Sequence, residues 1–297
     1  MSIWNLGGTT ITRIEESERL GSMPLERFFS TMDREVLRRH QDWLAPKYYC
    51  PEHDRLRVSN HSWLIRTARQ TILVDACTGN HKHRPFNPAF HQLETPYLDR
   101  LRQAGVSPSD IDVVLCTHLH ADHVGWNTML ENGRWVPTFP RARYLFARAE
   151  EEYWRRAMNL VPENDPANRT VVYQDSVLPI IRAGRAELID CSFAVEDHLV
   201  IEPAPGHTPG HIVLKLNCAD ATAIFCGDVV HHPIQICEPD WNTQFCIDQR
   251  LARETRRRIL NEAASDDGWL FPTHFVHPYA CKIAKTEASF MPVFDVS

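Results

Sequence analysis

The chain has 297 residues, 43% of them hydrophobic and 24% charged, with a formal net charge of −6. That balance describes a globular protein with enough apolar material for a full core, and the length suits one α/β unit. The acidic excess argues against a nucleic-acid partner, which needs a basic footprint, and no run approaches the ~18 uninterrupted apolar residues of a membrane span. The first residues, Met-Ser-Ile-Trp-Asn-Leu-Gly-Gly, carry no basic segment followed by an apolar one, so no secretory signal is expected and a cytoplasmic location is the default. Nine cysteines, an odd number without a C-x-x-C, are read as reduced thiols and not as metal ligands. Cys77, Cys116 and Cys226 sit inside apolar runs, where a thiol acts as a small hydrophobe.

In chain order, residues 9–14 alternate and are β-branched, which predicts an edge strand. Between 24 and 45, Leu25, Phe28, Phe29, Met32, Val36 and Leu37 recur mostly at three- and four-residue spacing, predicting a helix or two with a core-facing stripe. Residues 43–50, with Pro46 and two tyrosines, read as a loop, and 61–66 with 71–75 as a hairpin. Residues 95–105 form a helix with Thr95 at the N-cap, Pro96 at the first position and Gly105 as the stop. The apolar run 111–116 is a strand that ends at Thr117-His118-Leu119-His120-Ala121-Asp122-His123-Val124-Gly125. Further on come a strand at 143–147, a helix at 149–156, a loop at 160–169, a short helix at 176–181 and a strand at 187–190. A second hairpin, 211–216 with 223–228, repeats the design of the first, each ending in an aspartate (Asp75, Asp228). Residues 248–264 make an amphipathic helix whose Arg256-Arg257-Arg258 run reads as a solvated face. Strands alternating with helices indicate α/β, and without a low-complexity linker the whole chain reads as one domain.

Four potential metal ligands within six residues, His118, His120, Asp122 and His123, are costly to bury unpaired. A histidine-rich surface loop would carry them too. What tells against it is the rest of the set: His207 in Pro-Gly-His-Thr-Pro-Gly-His, Asp228 in Cys-Gly-Asp, and His274 in Pro-Thr-His-Phe, each just after an apolar run. Imidazole with carboxylate suits zinc, and manganese or iron less specifically.

This ordered set, H-x-H-x-D-H, P-G-H-T-P-G, G-D and a late His, resembles the metallo-β-lactamase superfamily, and within it the di-metal lactonases and methyl-parathion-type hydrolases. The resemblance runs from about Asn60 to His274. It implies an αββα four-layer sandwich of two mixed sheets flanked by helices, over residues 1–297, with 1–58 as an N-terminal extension bordering the site. It assigns His118, His120 and His207 to one metal, Asp122, His123 and His274 to a second, and Asp228 to the bridge between them. Two divalent ions are implied, Zn2+ first and Mn2+, Co2+ or Fe2+ as alternatives. In such a centre a water shared by the ions is a hydroxide at neutral pH, able to attack an ester or lactone carbonyl. Phosphotriester and thioester hydrolysis use the same geometry, and an iron-dependent redox enzyme is the reading from another class. Asp122, Asp228 and His231 are the candidate catalytic residues.

Several details narrow the resemblance. Flavodiiron oxidoreductases commonly carry Glu where His120 stands, and most β-lactamases lack the bridging Asp. Glyoxalase II usually has a second Gly where Trp126 stands. Lactonases place Tyr three residues beyond the bridge, where this chain has His231; that imidazole is either a hydrogen-bond donor to substrate or structural. Asp75, the counterpart of Asp228, is read as structural. His211 is expected to brace the turn that presents His207, His81 and His83 to be solvated, and His277 to lie just behind the ligands. Trp126, Trp135, Trp241 and Phe275 are read as core. The expected partner is a small ester or lactone, with no nucleic acid and no membrane; the oligomeric state is open, a homodimer included.

Overall fold

The computed structural model describes residues 2–158, 170–190, 192–218, 221–287 and 289–294; the loop read at 160–169 lies outside them. The chain falls into two compact units, one of Met1–Ser17 with Asn60–Phe193 and the other of Glu18–Ser59 with Ala194–Ser297.

The first unit is built on a mixed sheet. Ile3–Leu6 pairs antiparallel with Thr9–Leu20, and Leu6 faces Thr9 across the two-residue turn Gly7-Gly8. Both glycines have positive φ (52° and 79°), as a tight turn matched to strand twist demands. The stretch at 9–14 is therefore not an edge strand: Ile3–Leu6 covers its outer side, and the strand runs on to Leu20. Arg55–Arg66 and Thr71–Val74 form the expected antiparallel hairpin. Val113–Leu115, Arg143–Ala147 and Ala186–Ile189 then add in parallel. The parallel strands are buried runs, and helix Tyr97–Gln103 seats Tyr97 and Leu101 in a core with Leu64, Leu73, Val114 and Phe146. That helix starts one residue later than the N-cap pattern implies, because the Thr95 hydroxyl and amide both donate to Asn80 Oδ1. Thr128–Glu131 and Arg134–Pro137 form a further hairpin, whose Asn132-Gly133 turn, with φ of 49° and 76°, is its sequence signal.

The second unit holds the segment 24–45 as three short helices, Leu25–Phe28, Arg34–Arg39 and Gln41–Leu44. Asp33 starts the second of these by accepting the amide of Glu35. The stripe is core, as its spacing requires: Leu25, Phe29, Leu37 and Leu44 pack with Tyr48, Ile234 and Trp241. Tyr49–Cys50 pairs with Leu56 and Arg55, so the end of the stretch read as a loop is a short strand. The second mixed sheet runs Phe193–Glu196, Leu199–Pro203, Ile212–Asn217, Thr222–Gly227, Trp269–Pro272, Cys281–Lys285, Phe290–Val293. Within it Thr222–Gly227 and Trp269–Pro272 pair in parallel. Helix Gln249–Ser265, capped by Asp248 on the Leu251 amide, lays Ile259, Leu260 and Ala263 on Val213, Ile224 and Ile283. Among the described residues no helix is long and apolar enough to cross a membrane.

One charged residue contradicts the sequence reading. Arg257 and Arg258 are partly exposed, but Arg256 is fully buried and not on the solvated face. Its guanidinium donates to the carbonyls of Val229, Pro239 and Trp241 and to Asn242 Oδ1 at 2.6–3.2 Å. Three fixed carbonyls converging from one segment repay the desolvation of a delocalised cation, a task periodicity cannot reveal. Arg256→Met should leave those carbonyls unsatisfied and destabilise the protein by about 3 kcal/mol or more. Urea unfolding reads this as a lowered midpoint at unchanged slope; an unmoved midpoint would show the carbonyls find other donors.

Candidate metal centre

In the first unit the H-x-H-x-D-H motif begins where strand Val113–Leu115 ends, and one buried carboxylate fixes its start. Asp75 Oδ1 accepts from the amide (2.7 Å) and hydroxyl (3.0 Å) of Thr117, and Asp75 Oδ2 lies 2.9 Å from His123 Nδ1. Asp75 is thus structural, as read, but it also orients a candidate ligand. His118 Nδ1 meets the Thr117 hydroxyl at 3.1 Å and His118 Nε2 lies 3.0 Å from His120 Nδ1. Asp122 Oδ1 stands 4.0 Å from His123 Nε2. The one-turn helix Ala121–Val124 puts Asp122 and His123 on the same short arc. Gly125 closes the motif because nothing larger fits: a Cβ there would stand 1.7 Å from the Thr78 carbonyl oxygen. Fully buried Glu16 fastens the same corner, accepting from the amides of Thr78 and Gly79 and from Trp126 Nε1. Burial pushes the Glu16 carboxyl up while those three donors pull it down.

In the second unit three imidazoles surround one carboxylate. His207 Nε2 lies 3.3 Å and His231 Nε2 3.1 Å from Asp228 Oδ2, and His274 Nε2 lies 3.1 Å from Asp228 Oδ1. Gly206, at φ 132°, lets the His207 turn lie against the helix that follows, since a Cβ there would come within 2.3 Å of the Ala252 nitrogen. The His211 ring, expected to brace the turn that presents His207, instead reaches the neighbouring strand end, its Nε2 accepting the Asp228 amide at 3.2 Å. His231 is held at its backbone, where its amide donates to Gln235 Oε1 (2.7 Å), and Gln235 Nε2 donates to the Trp241 carbonyl. Its ring meets Phe28 edge-on at 6.0 Å. Burial lowers the His231 imidazole below its ordinary range, with the Asp228 charge opposing.

The donors fit a divalent cation by their own chemistry. Ser59 O can only accept, so the His274 Nδ1 that lies 3.0 Å from it carries the proton. A neutral ring then turns its Nε2 lone pair toward Asp228 Oδ1, an acceptor against an acceptor, a contact that needs either a second proton on the ring or a cation met by both groups. His123 repeats the pattern, with Nδ1 on the Asp75 carboxylate and Nε2 toward Asp122. A ring nitrogen tied to carboxylate or carbonyl while its partner faces outward is how metal-binding histidines are oriented. Cys246 Sγ lies 3.5 Å from His207 Nδ1 and tethers that nitrogen of the ring.

The remaining histidines mostly stand apart. His81 and His83 are exposed, as expected, but Lys82 and Arg84 between them are buried, Arg84 paired with Asp175 at 2.7 Å and Lys82 Nζ 3.6 Å over the Trp135 ring. His277 is exposed with its ring against Tyr279, so it does not back the ligands. Trp126, Trp241 and Phe275 are buried in core.

Residues 55–274 match the family described as the Metallo-beta-lactamase superfamily. The chain belongs to that superfamily. The N-acyl homoserine lactonase AiiB of Agrobacterium fabrum is 38% identical over 77 residues, 22% of this chain and 27% of that protein. The probable metallo-hydrolase Rv2300c of Mycobacterium tuberculosis is 25% identical over 191 residues, 58% of this chain and 57% of that protein. These matches therefore span between about a quarter and three-fifths of the curated relatives' length. Among solved structures, AidC, a dizinc quorum-quenching lactonase, superposes with a TM-score of 0.82 at 20% identity, covering 100% of this chain and 97% of that one. The hydrolase AbOPH of the beta lactamase superfamily gives 0.81 at 22% identity, covering 99% and 97%. The fold is thus the α/β metallo-β-lactamase fold that the motif order implied.

The imidazole beside His231 has a measurable signature. His232 is buried, with Nε2 3.0 Å from the Tyr48 carbonyl, and burial pushes it down to about 4. With its folded value depressed, the unfolded chain binds the extra proton, so stability is full above about pH 6.5 and falls as pH drops toward about 4. His232→Gln, which keeps a donor for Tyr48, should lose less stability than the wild type between about pH 7 and pH 5. Equal losses in urea titrations would show that His232 does not titrate there.

Proposed function

We propose that this protein is a binuclear metallohydrolase that opens a lactone or cleaves a carboxylic ester. The observation that carries the proposal is the pair of donor sets, one in each unit, in which imidazole lone pairs face carboxylate oxygens. The family match runs through both sets, and curated and structural relatives include N-acyl homoserine lactonases. In this reading the two units act as one catalytic domain. His118, His120 and His207 would hold one ion, Asp122, His123 and His274 the other, and Asp228 would be shared by both. Zinc suits these nitrogen and oxygen donors.

The ions, when bound, supply Lewis acidity and lower the pKa of bound water to near neutrality. The chain's own residues do the rest. Asp228 carries a negative charge between two cationic sites and so lets both fill. Asp75, Ser59 and Cys246 tie one ring nitrogen of His123, His274 and His207 and so leave the other to offer. His231, in the slot where the lactonase pattern has Tyr, is placed to donate to the oxygen that leaves or to the polarised carbonyl. Phe28 meets that ring edge to face, and Phe245 packs edge to face on Phe28 at 6.0 Å, apolar surface suited to an acyl or aryl group.

The test is a hydrolysis screen of zinc-loaded protein against lactones, aryl esters, thioesters and phosphotriesters, run in parallel on His231→Ala. Lactones or esters should turn over fastest. The variant should keep its metal and slow about 10²–10⁴-fold on substrates with poor leaving groups, the range of general acid catalysis. The deficit should shrink on nitrophenyl esters, whose leaving group needs no proton. Preference for thioesters or phosphotriesters would overturn the substrate class, and wild-type rates on every substrate would make His231 structural.

A further inference from the structure

Helix Arg148–Met158 follows strand Arg143–Ala147 and carries three consecutive glutamates near its start, Glu150, Glu151 and Glu152. Of these, Glu150 and Glu151 fall in the first turn, where on sequence they look like acidic residues favoured at a helix N-terminus. Both do something else. Glu151 is buried and accepts the Tyr173 hydroxyl at 2.6 Å, which joins this helix to Thr170–Ser176. Glu150, only 1% exposed, points the other way, into the H-x-H turn.

The Glu150 Oε1 atom accepts two hydrogen bonds. The backbone amide of Leu119, the residue between the two histidines, donates at 3.1 Å. Trp154 Nε1, one helical turn onward, donates at 2.7 Å. Trp154 then meets the His120 ring edge to face, with centroids 5.5 Å apart and planes at 70°. One carboxylate oxygen therefore fixes both the backbone between His118 and His120 and the indole that sets the plane of the His120 ring. A buried carboxylate needs such donors, since leaving it bare in an apolar setting is strongly unfavourable. Its placement at residue 119 fastens the turn where two-residue ligand spacing leaves the chain freest to rotate.

We infer that Glu150 is a positioning residue for the metal centre, acting through Leu119 and Trp154 to hold His118 and His120 in a ligating geometry. The inference rests on the reading of those two histidines as metal ligands. Outer partners of this kind typically contribute 10–100-fold to metal affinity. The two contacts to Leu119 and Trp154 are made to an acceptor oxygen that a glutamine also possesses, so the role they support is orientation.

The experiment compares zinc affinity of the full-length wild type, Glu150→Ala, Glu150→Gln and Trp154→Phe by chelator competition, with cobalt absorption spectra of each and melting temperatures of the metal-free proteins. Glu150→Ala should bind zinc roughly 10–100-fold more weakly and show an altered cobalt ligand-field spectrum. Glu150→Gln should restore both to near wild type. Trp154→Phe, which removes the indole donor but keeps an aromatic ring, should fall between them and covers the case in which Glu150→Ala does not fold. Zinc affinity and cobalt spectra unchanged in Glu150→Ala, with only the melting temperature lowered, would make Glu150 merely structural and overturn the inference. Weakened binding in Glu150→Gln equal to that in Glu150→Ala would overturn orientation as the cause. A wild type that binds neither zinc nor cobalt would sink the ligand reading itself, an outcome distinct from the other two.

Discussion

A lone pair facing a carboxylate is the constraint from which the rest follows. His274 has its Nδ1 proton committed to the Ser59 carbonyl, and its Nε2 then confronts Asp228 at 3.1 Å. His123 is committed to Asp75 in the same way, with Nε2 turned toward Asp122. In the neutral state such contacts repel, and in a buried setting the repulsion is poorly screened. A chain selected only for stability would remove them. Their presence in both units makes sense if cations belong there, and the orienting partners decide in advance which nitrogen each cation meets.

The scaffold delivers these groups by ending strands at the right places. Asp75 follows Thr71–Val74, the H-x-H turn follows Val113–Leu115, Asp228 follows Thr222–Gly227 and His274 follows Trp269–Pro272. Buried parallel pairings set the heights of those ends within each sheet. Two glycines make the turns possible by letting backbone approach backbone, Gly125 against Thr78 and Gly206 against Ala252. Rigid strands behind and close-packed turns in front leave the side chains little freedom. Such preorganisation is what a metal site requires.

Much of this was legible in the sequence because it depends on local pattern. Hairpins at 61–75 and 211–228, the helix with Gly105 at its end, and the polar groups after apolar runs all follow from period and turn chemistry. What stayed hidden depends on partners far along the chain. Arg256 reads as one more solvated arginine until three carbonyls of the 229–241 segment converge on it. Lys82 and Arg84 sit among exposed histidines, yet reach Asp175 more than ninety residues away. Glu150 looks like helix-end decoration until its oxygen meets the Leu119 amide. The edge assignment of residues 9–14 failed for a simpler reason: the Gly7-Gly8 turn that folds another strand over them is itself a legible signal.

The proposal that the two donor sets serve one binuclear centre is tested most directly by X-ray absorption at the metal edge of the reconstituted protein. A scattering vector to a second metal at about 3.5–4 Å, with a first shell of nitrogen and oxygen at about 2.0–2.2 Å, is the result expected. A spectrum without the metal–metal vector at full occupancy, or with sulfur in the first shell, would contradict it.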